Sequence, residues 1–236
     1  YADVGDDQMA DIAPGVHVCR AFALDTARHF ALLGHYPAFL ARPDRWKTWW
    51  LGAVPAGLSL IRRFAPQALW STYPIATAHT IGHTLQRLSG RPWIADFRDP
   101  MAQDGYPADP RTWQAFKRIE PNAVARATRL VFTTPGAQRT YRARYPAMPA
   151  DRFALIENGY DEEMFATLDD AGCAPLNPGK LTLLHSGIVY PDERDPRSLM
   201  MALQRLRAER SPAVERLRIR FRAAVHDKLL RTLADE

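Results

Sequence analysis

Cysteine is nearly absent from the 236 residues: only Cys19 and Cys173 occur, far apart and outside any C-x-x-C pairing. Such a count supports neither a disulfide framework nor a zinc cluster, and a reducing cytoplasm suits it best. Long hydrophobic runs are missing as well. No stretch approaches the roughly 20 apolar residues that a membrane span requires, and no charged-then-apolar leader opens the chain. The expectation is a soluble or peripheral protein. No G-x-G-x-x-G follows a candidate strand, which disfavours a dehydrogenase. Fixed-period repeats and low-complexity tracts are lacking, and this argues against solenoids and disordered tails. The first residues, YADVGDDQMAD, also lack the strand and glycine loop that usually begin a nucleotide-type α/β domain, so an opening segment is expected to be missing.

What is present is an ordinary globular composition, 47% hydrophobic and 24% charged, enough for a substantial core. The formal net charge of +5 suits an anionic partner such as a nucleotide, a nucleic acid or an acidic membrane surface. Lysine and arginine are spread over many segments, however, and no RRM, KH, helix-turn-helix or zinc signature appears. A nucleic-acid partner is therefore not expected, although a non-catalytic nucleotide- or nucleic-acid-binding α/β module remains the competing reading.

Short apolar runs alternate with longer segments of helical period, the pattern of βαβ units and a parallel sheet. Strands are predicted at Val16 to Phe22, Ala68 to Ser71, Trp93 to Asp96, Leu130 to Thr133, Phe153 to Ile156, Leu181 to Ser186 and Leu217 to Ala223. Helices are predicted near Trp46 to Phe64, Ile75 to Leu88, Trp113 to Ala127, Ala137 to Tyr145 and Arg197 to Arg210. Between Thr167 and Lys180 the sequence TLDDAGCAPLNPGK loses apolar periodicity and gathers turn formers, as a linker does. It separates a first domain, 1–170, from a shorter second one, 171–236.

In open parallel sheets ligands bind beyond the carboxyl ends of the strands. WIADFRDP runs from a buried strand into Asp96, Arg98 and Asp99, which places all three at a crevice; a capped turn with a surface ion pair is the plainer alternative. Ser71, Thr72 and Tyr73 end the preceding strand ahead of a helix and could hold sugar hydroxyls or an anion, or serve only as an N-cap. Thr134 repeats the pattern in FTTPG. Asn158 and Gly159 form a turn-prone pair before the linker. Gly187 follows the first strand of the second domain, where glycine lets backbone approach a phosphate. Arg194 and Arg197 follow in a loop that could deliver a bidentate grip on phosphate, unless Asp192, Glu193 and Asp195 absorb both charges. His79 and His83 share a helix face, but without the adjacent Glu of a zinc hydrolase they read as packing residues, and no metal ligand is expected.

Taken in order, WSTYPIATAH, WIADFRDP, VFTTPGAQRTYRARYP, IENGYDEEMF and LLHSGIVYPDERDPRSLMMAL resemble a bacterial subgroup of family four glycosyltransferases linked to cell-envelope and exopolysaccharide synthesis. The resemblance covers nearly the whole chain and lies in the order and spacing of the blocks. It implies a GT-B fold of two Rossmann-like domains, here with the second incomplete. It also implies metal-free, retaining transfer of a sugar from a nucleotide-sugar to a lipid-linked or saccharide acceptor, with no cofactor beyond that substrate. By position in the blocks, Asp96, Arg98 and Asp99 would be catalytic, Ser71, Thr72, Tyr73 and Thr134 would contact acceptor, and Asn158, Gly187, Arg194 and Arg197 would contact donor. There are departures. Ile188 stands where many relatives carry arginine, FRAAVHD replaces a glycine-rich turn, and the chain ends before the region of a Glu-x7-Glu motif. Inactivity of the chain by itself is the corresponding expectation. Tryptophans Trp46, Trp49 and Trp50 with Leu51, flanked by Lys47, Arg62 and Arg63, suit either a core-packed helix or contact with the inner face of an anionic membrane.

Overall fold

A computed structural model describes residues 12–160, 162, 174–191 and 195–235. The chain divides into two compact units, with the division between Gly159 and Tyr160. The expected boundary at residue 170 and most of the expected linker lie outside the described residues.

The first unit is a four-stranded parallel sheet of β1 (Leu69–Thr72), β2 (Trp93–Arg98), β3 (Arg129–Phe132) and β4 (Phe153–Leu155), in that spatial order. A helix connects each pair of strands: α2 (Ala76–Ser89), α3 (Pro110–Arg126) and α4 (Pro135–Arg144), with α1 (Trp49–Phe64) preceding β1 and packing on α2. Local sequence sets these boundaries. Asp109 accepts the Thr112 amide at the start of α3, and Thr134 accepts the Ala137 amide at the start of α4, each with Pro in the first turn. Gly90 ends α2 in the left-handed conformation, its N–H donating to Gln86 O.

Alternation along β2 sends Trp93, Ala95 and Phe97 into the core, where they meet Leu130 and Phe132 of β3, Phe116 and Val124 of α3, and Tyr141 of α4. Inside α2, Gly82 backs directly onto this layer. A Cβ there would lie 2.6 Å from Trp93 Nε1 and 2.9 Å from Ser71 Oγ, so only glycine lets the helix approach the sheet so closely. By contrast α1 buries only Val54.

The second unit pairs β5 (Leu181–Ser186) with β6 (Leu217–Arg222) in parallel, joined through α5 (Arg197–Ala208) and a short helix, Pro212–Arg216. The final helix, α6 (Asp227–Asp235), buries Leu230 and Leu233; it was not expected. A cavity of ≈ 930 Å³ lies among α5, β6 and α6, lined by Leu203, Ile219, Phe221, Leu230 and Leu233.

Both units are therefore α/β with parallel sheets, as expected. The expected strand Val16 to Phe22 does not form. Its residues join no sheet, and Val16, Val18 and Phe22 stay exposed. Alternation supplied the strand pattern, but a strand also needs a ladder partner. No helix among the described residues is long and apolar enough to cross a membrane.

Candidate functional site

The carboxyl edge of the four-stranded sheet gathers polar side chains from three successive strand ends. Thr72 Oγ1 donates to Asp96 Oδ2 at 2.8 Å, joining the ends of β1 and β2. The other carboxylate oxygen, Oδ1, accepts the Arg98 amide at 3.3 Å. Thr133 at the end of β3 donates its hydroxyl to Arg98 O at 3.0 Å. Arg98 is thus gripped at its N–H and its carbonyl by side chains of two different turns.

This grip holds an unusual backbone. Arg98 has φ of +54°, and the β2–β3 register shifts between Asp96 and Arg98. A left-handed arginine costs about 1 kcal/mol or more and persists only where the surroundings over-determine it. The Arg98 side chain stands at an exposed position, where it has no ion-pair partner among the described residues. Asp99, also exposed, follows.

Strand alternation separates the three β1 residues that sequence grouped together. Thr72 points outward at the edge, whereas Ser71 and Tyr73 are buried. Ser71 Oγ accepts from Trp93 Nε1 at 2.8 Å and faces His79 Nδ1 at 2.9 Å. Its hydroxyl is fully engaged in the core, which removes it from the acceptor surface expected of it. Tyr73 is 4% exposed and packs edge-on against Phe116, which removes it as well from the acceptor surface expected of it. Burial pushes its phenol pKa up, with further contributions from Tyr106, Asp99 and Asp44. Its hydroxyl therefore stays protonated beside Asp99.

Thr134 acts as the N-cap of α4, its Oγ1 accepting the Ala137 amide at 3.1 Å. Asn158 is exposed at the end of the first unit. Gly187, at the end of β5, has φ of +137°, a conformation open to glycine alone among ordinary residues. Its N–H donates to Arg222 O at 2.9 Å, so that amide is occupied. Arg197 pairs with Asp195 at 2.9 Å and donates its backbone N–H to the same side chain at 3.0 Å, the local absorption that the charge cluster allowed. Arg194 lies outside the described residues. In place of a glycine-rich turn after β6, Ala223 and Val225 take φ of +55° and +67°.

One cluster escaped the sequence reading. Glu120 of α3 is fully buried, and its carboxylate accepts from Tyr141 and Tyr145 hydroxyls and from Arg144 Nη1, all at 2.7 Å. It also accepts the Ala102 amide at 3.3 Å, while Tyr141 Oη accepts the Met101 amide at 3.1 Å. Burial raises the Tyr141 pKa, with the Glu120 charge adding to it. The cluster ties the segment just after Asp99 to two helices. Its signal in the sequence is a glutamate at the apolar spacing of Phe116, Glu120, Ala123 and Val124, with Tyr141, Arg144 and Tyr145 at i, i+3, i+4.

No group of three or more His, Cys, Asp or Glu side chains among the described residues is placed to hold a metal ion. His79 packs in the core beside Trp93 and Phe97.

The fold and site define an α/β protein with Rossmann-like parallel sheets and a polar, partly strained carboxyl edge. No family model and no curated protein matches the chain. Among solved structures it is similar to Anabaena Alr3699/HepE in complex with UDP and glucose, at 12% identity and TM-score 0.47, over 78% of this chain and 47% of that one. The S. aureus MnaA–UDP co-structure is similar at 13% identity and TM-score 0.46, over 78% and 47%. Alr3699/HepE with UDP alone gives 14% identity and TM-score 0.43, over 76% and 54%. The chain spans about half the length of these proteins.

Proposed function

We propose that the chain is part of a GT-B-type glycosyltransferase that moves a sugar from a nucleotide-sugar to a cell-envelope or polysaccharide acceptor with retention. The observation that carries this reading is the strained Arg98 held between Asp96 and Thr133 at the carboxyl edge of a parallel sheet. Strain concentrated at a strand end, where such sheets bind ligands, points to a side chain kept outward for use. The ordered blocks of family four character support the same assignment.

In this reading Asp96, fixed by Thr72 and by the Arg98 amide, presents a carboxylate to acceptor hydroxyls. Asp99, exposed beside it, offers a second acceptor of hydrogen bonds, while the buried Tyr73 backs this edge from the core. Arg98 supplies the positive charge. In the second unit, Gly187 and Arg197 border the donor diphosphate, and Arg194 stabilises the charge that gathers on the leaving diphosphate as the glycosidic bond breaks. The nucleotide-sugar is a substrate, and no metal or cofactor enters the scheme.

The test uses the longest open reading frame containing this chain, assayed for release of nucleoside diphosphate from a panel of nucleotide-sugars. Arg98→Ala and Asp96→Asn are each expected to lower turnover by roughly a hundredfold or more, the usual loss of an oriented charge contact. Turnover within a few-fold of the parent in both variants, with the fold intact, overturns the assignment. Salt-sensitive retention of nucleic acid without sugar transfer would favour the binding-module alternative.

A further inference from the structure

We infer that residues 28–51 of the first unit form a docking surface for an anionic lipid bilayer, with the hairpin tip Leu32–Leu33 as its inserting element. Leu32 and His35 exchange backbone hydrogen bonds of 2.8 and 3.0 Å, closing a two-residue turn at Leu33 and Gly34. Both turn residues have positive φ, +50° and +80°, the geometry of a tight hairpin that favours Asn-Gly or Gly-Gly. Leucine at the first position is strained and gains nothing from packing: Leu33 is 92% exposed and Leu32 79%. Two adjacent leucines held at a strained, solvent-facing tip imply contact with something apolar.

The surroundings identify that partner by charge. Phe39, Leu40, Trp50 and Leu51 line an apolar groove of ≈ 390 Å³, which Lys47 borders. Phe39 and Lys47 also line the neighbouring groove of ≈ 480 Å³ together with Arg42, Arg111 and Arg118. The only carboxylates between residues 25 and 51 are Asp25 and Asp44, and both are engaged. Asp25 pairs with Arg45 at 3.5 Å; Asp44 accepts from Thr77 N at 2.7 Å and from Trp46 N at 2.9 Å. Arg28, Lys47, Arg111 and Arg118 are exposed, with no ion pair among the described residues. An apolar tip on the same segment as apolar grooves that Lys47, Arg111 and Arg118 border, with Arg42 alone of the groove cations paired among the described residues, to Asp109, matches a headgroup layer carrying negative charge over a hydrocarbon interior. The contact thus centres on the hairpin and its grooves, not on the tryptophan-bearing helix α1 alone. The inference is independent of the transferase reading, because binding is measured without turnover.

The experiment is co-sedimentation of this chain with phosphatidylcholine vesicles, with and without phosphatidylglycerol. Binding is expected only to the anionic vesicles, and rising salt should weaken it. Leu32→Ser with Leu33→Asn, which suits the left-handed turn, is expected to reduce binding at least about tenfold. Lys47→Glu should reduce it on the order of fivefold or more. Leu88→Asn, an exposed leucine at the end of α2, should leave it unchanged, and circular dichroism checks the fold of each variant. Equal binding to neutral vesicles, no binding to either, or indifference to the leucines overturns the proposal. So does self-association in sedimentation velocity that the leucine changes abolish, which would make a second copy the occupant.

Discussion

His79 lies fully enclosed in the first unit, its ring 4.8 Å from Phe97 and 6.2 Å from Trp93. Because Trp93 Nε1 donates to Ser71 Oγ, the serine proton is free to point at His79 Nδ1, and the imidazole proton belongs on Nε2. Nε2 has no partner among the described residues, and no carboxylate is hydrogen-bonded to the ring. A second proton would create a cation in an apolar box, so burial pushes the His79 pKa from 6.5 down to about 3. The unfolded chain takes this proton near 6.5, whereas the folded chain does not until far lower pH. Stability is therefore complete above pH 6.5 and declines as pH falls toward 3. Between pH 7 and pH 5 the loss is about 2 kcal/mol, from about 1.5 pH units at about 1.4 kcal/mol each. That is a large share of the roughly 5–15 kcal/mol typical of a domain. Urea denaturation of the parent and of His79→Gln at both pH values isolates the effect, since every other group titrates in both proteins. His83, lowered mainly by burial and then by Arg87 and Arg126, cancels in this way. The parent should lose about 2 kcal/mol more than the variant on acidification. Equal losses, or an NMR titration of the His79 ring with a midpoint near 6.5, would refute the reasoning.

Three further outcomes follow from the same structure. Arg98→Gly should remove backbone strain and raise the urea midpoint, by about 0.5–1 kcal/mol of stability, while abolishing any transferase activity; a destabilised glycine variant would show that Arg98 is not strained. Glu120→Ala leaves Arg144 and two tyrosine hydroxyls without their shared acceptor and should cost about 3–5 kcal/mol, with faster amide exchange at Met101 and Ala102. A cost under about 1 kcal/mol would count against its anchoring role. Gly82→Ala gains about 1 kcal/mol of helix propensity but collides with Trp93, and net destabilisation of about 1–2 kcal/mol is expected in thermal melts.

The strands from Leu69 onward were legible because each is a short segment with apolar residues set between turn formers, as in β6, where Leu217, Ile219 and Phe221 alternate with exposed arginines. Val16 to Phe22 carries the same pattern, yet pairing is a property of two segments, and one segment's sequence cannot declare its partner. At the site, position relative to strand ends was readable, so Thr72, Asp96, Arg98 and Asp99 were found together. The sense of each side chain was not. The one-residue alternation that turns Ser71 and Tyr73 inward depends on which face of β1 meets α2. The Arg98 bulge depends on a register shift against β3, and the Glu120 cluster on how α3 meets α4. All three arise from tertiary contacts and leave little local trace.

Trp93 and Gly82 together behave as a dowel in a drilled hole. The indole fills the notch left by the absent side chain, its Nε1 pinned to Ser71, so α2 can neither slide along the sheet nor roll without driving backbone into a rigid ring. The leading end of α2 is thereby indexed to the tip of β1. Thr77, near that end, reaches Asp44 with both its amide and its hydroxyl, and so passes the alignment to the segment carrying Lys47 and Trp50. A sub-ångström error at the dowel would reappear, enlarged by the lever of the helix, at Thr72 and along the basic grooves. Rigidity at one glycine is thus a tolerance specification for surfaces several residues away.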